Sequence, residues 1–371
     1  MAIQSSSATF TRFFLEDPVK KNFWDHIDKG LKAGRFQDVP ENQSISVGFA
    51  SWDDLFDTGF EYSAYHKGEY VAFNFRVDQR KIPPVLMKHQ LRLAVDDFRE
   101  KNDDKWPSRQ EKDQLREEVA MRLLRKALPQ PAGYEIVWNT EKKWLLVGTT
   151  SKRVINAFWE HLENHLQAYP VPLYHFQWAL RLLPAQGRER NTLASLIALD
   201  SSEALFDGMF LGYEFLTWLW FFSENTSGRI RLPDYRQAFV QLGERLVLSR
   251  TDDGSERIVC TTQTNNLHEA RTALQQGKMV EEVQIYMKMG DNEYFAVLDT
   301  KLWAIKSLKT PKQLTDRDEA EADGRFLEKM YFIEEVLGCL DTVYSRFLSE
   351  RLSPKWDAAT WPQIKKWCKK K

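Results

Sequence analysis

The sequence predicts a mixed α+β fold built on antiparallel strands. Three observations carry this: alternation from Glu69 to Val77, a helical 4-3-4 spacing of Met87, Leu91, Ala94 and Phe98, and hairpin signals at Asp253-Gly254 and Gly290-Asp291-Asn292. The 371 residues make two or three domains, since a typical domain has about 150 residues.

Taken in order, Ser44 to Phe49 reads as a strand. From Glu69 to Val77, Val71, Phe73, Phe75 and Val77 share one face and Tyr70, Ala72, Asn74 and Arg76 the other, the pattern of a half-buried strand. Pro83-Pro84 breaks the ladder, because proline lacks the N–H a ladder needs. Two helices follow. Met87, Leu91, Ala94 and Phe98 stripe the first. Ser108 and Glu111 have capping-box spacing for the second, striped by Leu115, Val119 and Leu123. Joined by the polar turn from Lys101 to Trp106, they form a finger that ends at Pro129 and Pro131.

Strands from Tyr134 to Trp138 and from Lys143 to Gly148 come next, then a helix carrying Val154, Phe158, Leu162 and Leu166, stopped by Pro170 and Pro172. The stretch from Arg188 to Gly228 reads as helical and buried around Phe215 to Phe222. Leu246 to Ser249 and Arg257 to Cys260 flank the Asp253-Gly254 turn. A helix from Asn266 to Gln276 closes on Gly277. Val283 to Lys288 pairs with Tyr294 to Leu298. The acidic run from Asp316 to Asp323 reads as an exposed linker. The last long helix repeats Phe326, Met330, Ile333, Leu337, Leu340, Tyr344 and Phe347 at 4-3 spacing, a helix–helix seam within the subunit or, failing that, a dimer contact.

Lys plus Arg number 52 against 53 Asp plus Glu, a formal charge of −1, which excludes a polycation and an acidic disordered chain. Three scattered cysteines build neither a disulfide framework nor a CxxC metal site and fit a reducing compartment. With no signal peptide and no long apolar span, a cytoplasmic location is expected and a membrane is not.

Catalytic chemistry is mostly missing. No P-loop, GxGxxG or GxSxG occurs. His161 and His165 sit four apart, but His-Leu-Glu-Asn-His is not a zinc-hydrolase order, so a solvated helix face is expected there. Glu141-x-Lys143 resembles half of a metal-dependent nuclease core, with a polar turn as the simpler reading. No catalytic residue, metal or cofactor is expected.

Charge placement is more telling. From Arg80 to Lys126 there are 13 Lys/Arg against 9 Asp/Glu, a surplus of four. Arg80, Lys81, Lys88 and Arg92 lead into the finger, and Arg122, Arg125 and Lys126 bring the return helix back to its base. Such cations neutralise phosphates regardless of base sequence.

The order of several blocks resembles the recombination-associated RdgC family: Ile82-Pro83-Pro84-Val85-Leu86-Met87-Lys88, then Glu111-Lys112-Asp113 with Leu115, Glu118 and Val119, then Leu123-Leu124 with Ala127. Leu145-Leu146-Val147, Ser151-Lys152-Arg153, Pro170-Val171-Pro172-Leu173, Phe215-Leu216-Thr217-Trp218-Leu219 and Gln263 through Gly277-Lys278-Met279-Val280 continue it. The resemblance implies a non-enzymatic DNA-binding protein. Its horseshoe-shaped subunits would close into a ring-shaped homodimer around duplex DNA, limiting access of the RecA recombinase at the nucleoid. It implies DNA contacts from Lys88, Gln263 and Lys278. Thr262 stands where the family has a lysine, and Leu128 where it has the phenylalanine that closes the dimer gate.

The implied domains are a central α/β domain (1–81 and 129–190), the finger (82–128) and a base domain (191–371). Two alternatives stand beside the DNA clamp: a nuclease using Glu141 and Lys143, and a recombination-protein adaptor using Trp218 and Trp220. Exposure of those tryptophans would favour the adaptor, whereas core packing is expected. Single-stranded DNA as a second ligand, the 193–236 segment and the basic C-terminus are left open, a frayed end being the default for the last.

Overall fold

The alternating and helical patterns both form. A computed structural model describes residues 3–15, 22–41, 43–61, 64–198, 209–250, 256–261, 268–300, 304–312 and 322–369. The elements run β1 (Ala8–Leu15), α1 (Phe23–Ala33), β2 (Ile45–Ala50), β3 (His66–Lys67), β4 (Tyr70–Arg80), α2 (Pro84–Lys101), α3 (Arg109–Lys126), β5 (Pro129–Asn139), β6 (Trp144–Val147), α4 (Lys152–Leu166) and β7 (Pro170–Pro172). They continue with α5 (His175–Leu182), α6 (Arg188–Ala198), α7 (Met209–Asn225), β8 (Arg229–Arg231), β9 (Gln237–Ser249), β10 (Arg257–Thr261) and α8 (His268–Gln275). β11 (Met279–Met289), β12 (Asn292–Asp299), β13 (Ala304–Lys309), α9 (Ala322–Arg351), a π-helical turn at Trp356–Thr360 and α10 (Trp361–Cys368) complete the chain. The fold is α+β with antiparallel strand pairing. The Asp253-Gly254 turn, the start of the helix expected at Asn266 and the acidic residues 316–321 lie outside the described residues.

The chain divides into two compact units. One comprises Asp17–Thr140 and Asn156–Tyr169. Its strands are ordered β5-β4-β2, with β3 also on β4. β4 departs from the half-buried expectation, because Tyr70 through Arg76 are buried on both faces. The polar face is roofed by the loop after β2. There the Asn74 amide donates to the carbonyls of Ser51 (2.8 Å) and Trp52 (3.0 Å), while Arg76 forks onto Asp78 and lies over the Phe36 and Phe56 rings. Satisfied hydrogen bonds make such burial tolerable. On the other face, Phe158 packs against Phe73 and Phe75.

His161 and His165 are also placed differently from expectation. Both are half-buried, and His161 packs against Phe49, with Nε2 2.7 Å from the Gly34 carbonyl. Burial lowers the His161 pKa. Their four-residue spacing places them on the helix face that covers the sheet, not on a solvated one.

β5 begins at Pro129, five residues earlier than the alternation indicated, and Pro131 lies within it. Arg80 directs its N–H to the Ser44 carbonyl, so Arg80 and its partner Pro129 form a pair without mutual N–H···O bonds. A missing N–H is therefore harmless there and again two residues on, at Pro131 opposite Asp78.

The other unit comprises Met1–Glu16, Glu141–Ile155 and Pro170–Lys371. Its strands follow the order β10-β9-β11-β12-β13-β1-β6, with β7 on β1 and β8 on β9. Gly290, at φ 59°, makes the tight β11–β12 turn. All seven residues of the α9 seam are buried within the chain. Tyr344 stacks on Trp178 with centroids 3.9 Å apart, and the Arg12 guanidinium and Trp178 indole both donate to Asp341. Glu335 on the same helix accepts from Arg236, Asn292 and Tyr294. Trp218 and Trp220 of α7 are each 1% exposed and donate to Glu350 and Glu224. Core packing is thus observed where the adaptor needed exposed rings. Among the described residues no helix is long and apolar enough to cross a membrane.

His175 is buried at this core, with Nδ1 3.2 Å from the Tyr344 hydroxyl, and a Cβ at Gly212 would lie 2.7 Å from its ring. Burial pulls its pKa down to about 3. The folded chain holds this ring neutral while the unfolded chain protonates it below about pH 6.5. Its contribution to stability is therefore intact above pH 6.5 and lost as pH falls from there toward 3, at a slope approaching about 1.4 kcal/mol per pH unit. Urea unfolding at pH 7, 5.5 and 4.5 should show a shallower pH dependence for His175→Asn than for the wild type.

Candidate nucleic-acid interface

The finger is a pair of antiparallel helices. Pro84 opens α2, where its missing N–H needs no partner. α3 opens on the expected capping box: Glu111 N–H donates to Ser108 Oγ (3.3 Å) and Ser108 N–H to Glu111 Oε2 (2.7 Å). These bonds hold the Glu111 carboxyl below the usual carboxylate range. The apolar stripes face each other but stay thin. Val95 and Val119 are buried, while Met87, Leu91, Phe98, Leu115 and Leu123 are half-buried. Arg122 donates to Gln90 Oε1 at 3.1 Å and fixes the level at which the helices meet.

Arg80 acts on the finger itself. Its Nη1 donates to the carbonyls of Leu124 (3.3 Å), Arg125 (3.4 Å) and Ala127 (2.9 Å), and Nη2 donates to Val39 O (3.1 Å). Carbonyls in the last helical turn have no partner within the helix, and a cation there also complements the helix dipole. Arg80 is thus a positioning residue that ties the end of α3 to the end of β4.

Lys81, Lys88, Arg92, Arg122, Arg125 and Lys126 are exposed, and none makes an ion pair among the described residues. They do not form a single patch. Lys88 and Arg92 are one turn apart on one flank of α2. Gln90 lies two residues from each, about 200° around the helix, so its partner Arg122 meets the opposite flank. Arg99, seven residues after Arg92, continues the first flank; it pairs with Asp104 and lies over the Trp106 ring. The seven-residue spacing could have shown Arg99 in the sequence. Nothing in the sequence distinguishes Arg80, whose role depends on the fold.

The two contacts expected at the base fare differently. Gln263, with Thr262 beside it, lies outside the described residues. Lys278 is 6% exposed, with Nζ 2.5 Å from Glu256 Oε2. The pairing holds the Glu256 carboxyl below its ordinary range.

Leu128 is 85% exposed, directly after Ala127, the residue that caps α3. Val85, Leu86, Leu93 and Met121 of the finger are exposed as well. Glu141 is exposed, and Lys143 adopts a left-handed φ of 57° in the turn before β6. Lys142 between them pairs with Glu334 at 2.6 Å. Among the described residues no three His, Cys, Asp or Glu side chains gather as a metal site.

The family model described as "Putative exonuclease, RdgC" matches residues 11–183. Over that stretch the resemblance to RdgC is borne out. The RdgC match is to a recombination-related, DNA-binding family and takes in the whole finger, with Arg80, Leu128 and the cations of α2 and α3. No curated protein matches the chain.

Replacing Arg80 with Met should loosen the finger without unfolding the sheet. Loss of charge-assisted bonds to helix carbonyls costs about 1.5–3 kcal/mol. Hydrogen exchange should accelerate selectively across the last two turns of α3.

Proposed function

We propose that the protein binds duplex DNA without sequence preference, as a ring-like homodimer that limits the access of a RecA-type recombinase. The observation that carries this reading is the set of exposed cations on the finger, without an ion pair among the described residues, within the segment that matches RdgC. Lys88 and Arg92 on one flank, with Lys81, Arg122, Arg125 and Lys126 at the base, would contact phosphates. Arg80 would hold the finger in place for them. Gln263 and Lys278 would add contacts from the base domain, Lys278 after exchanging Glu256 for a phosphate.

The dimer contact is proposed at Leu128, whose exposure, with that of Val85, supplies apolar surface a second copy would cover. A closed ring retains DNA topologically, so its hold does not require base contacts. A recombinase filament, which needs the same backbone, would then be excluded from the covered length.

One observation favours a second reading: the matching family model carries the word exonuclease in its description. In that case Glu141 would take a divalent cation and Lys143 would steady the leaving oxygen. Magnesium-dependent cleavage lost in Glu141→Ala would establish it, and intact DNA after incubation with magnesium would remove it.

Fluorescence anisotropy with two unrelated duplexes across a salt series tests the main reading. Both should bind equally, with affinity falling linearly on log–log axes. Lys88→Glu with Arg92→Glu should lower the slope by about 1.8, or about 0.9 per phosphate. Unequal affinity for the two sequences, or no binding at low salt, would sink it. Leu128→Asp should shift the sedimentation coefficient from dimer to monomer.

A further inference from the structure

The C-terminal helix is built as a cationic face on a buried aromatic anchor. Ile364 and Trp367 are buried, and the Trp367 indole donates to Glu224 Oε2 at 2.8 Å. Trp220 meets the Trp367 ring edge-on at 4.9 Å, and the Arg271 guanidinium lies over it at 4.9 Å. Gln275, the last residue of α8, donates to the Cys368 carbonyl at 2.7 Å. The stretch from Trp361 to Cys368 is therefore docked as a helix, where a frayed end was the default expectation.

That docking decides where the charge points. With Ile364 and Trp367 turned inward, 100° per residue carries Lys365, Lys366 and Lys369 onto the outward arc. All three are exposed, and none is ion-paired among the described residues. From Ala358 to the last residue the sequence holds five lysines and no Asp or Glu. Lys365 Nζ lies 5.8 Å from the centre of the Trp361 ring, which supports its stem. A surface that served only solubility would not need an aromatic anchor to hold its orientation. Three like charges held on one face repel each other, and a polyanion relieves that repulsion.

We propose that Lys365, Lys366 and Lys369 form a second DNA-backbone contact, separate from the finger and held in register by Trp367. This rests on the DNA-binding reading above. It adds to that reading cations without a carboxylate partner among the described residues, whereas Lys278 is bound to Glu256. Contacts of this kind bind phosphate and read no base.

The test is the salt slope of duplex binding by the full chain with Lys365, Lys366 and Lys369 changed to Ala. A control with Lys29, Lys309 and Lys312 changed to Ala removes equal charge elsewhere. The C-terminal triple should lower the log–log slope by about 2.7, three phosphates at about 0.9 each, with Tm unchanged. The control should leave the slope as it is, and the triple Lys→Arg variant should retain wild-type binding. A wild-type slope in the Ala triple, or equal losses in both triples, would overturn the second contact while the finger reading stood. No binding by the wild-type protein would overturn both.

Discussion

The guanidinium of Arg80 joins three parts of the chain that sequence keeps apart: the end of β4, the last carbonyls of α3 and the Val39 carbonyl before β2. A finger with only Val95 and Val119 buried between its helices has little hydrophobic holding of its own. Capping bonds at both ends of α3 therefore carry much of its order, with Ser108 and Glu111 at one end and Arg80 at the other. Because Arg80 leaves β4 and Pro129 begins β5 directly opposite, both strands of the finger's stem are fixed at one level. Each exposed cation on α2 and α3 inherits its position from that level.

The chain's positive charge divides into two kinds. Arg12, Arg76, Arg236, Lys278 and Arg351 are bound to carboxylates within the fold. Lys88, Arg92, Arg125 and Lys126 on the finger, and Lys365 and Lys366 of α10 with Lys369 at its C-cap, face water without a carboxylate among the described residues. A net charge of −1 conceals this partition. For phosphate binding only the second kind counts at first encounter, since an ion pair already formed must be broken before its cation can be used.

Periodicity made much of the fold legible. The capping box, the finger helices, the α9 seam and the Gly290 hairpin depend on neighbours within a turn or a strand, and all are present. The misreadings share one cause. Asn74 and Arg76 look like a wetted face because their partners, Ser51, Trp52 and Asp78 with the Phe36 and Phe56 rings, are supplied mostly by other segments. His161 and His165 look solvated until α4 lies over Phe49. At the candidate site the same limit applies: spacing finds which residues are cationic, but only tertiary contacts show that Arg80 is a latch and that Lys278 is occupied.

Helical geometry also separates one exposed leucine of α2 from the cations of that helix. Lys88 and Arg92 lie on one side of α2, while Leu86, about 160° around the helix from Lys88 and about 120° from Arg92, lies toward the other. A phosphate backbone against the first would leave the second for an apolar partner. Had Leu86 and Lys88 been four residues apart, any contact that covered the leucine would have desolvated the lysine, and burial of an unpaired ammonium is costly. The two-residue offset removes that penalty.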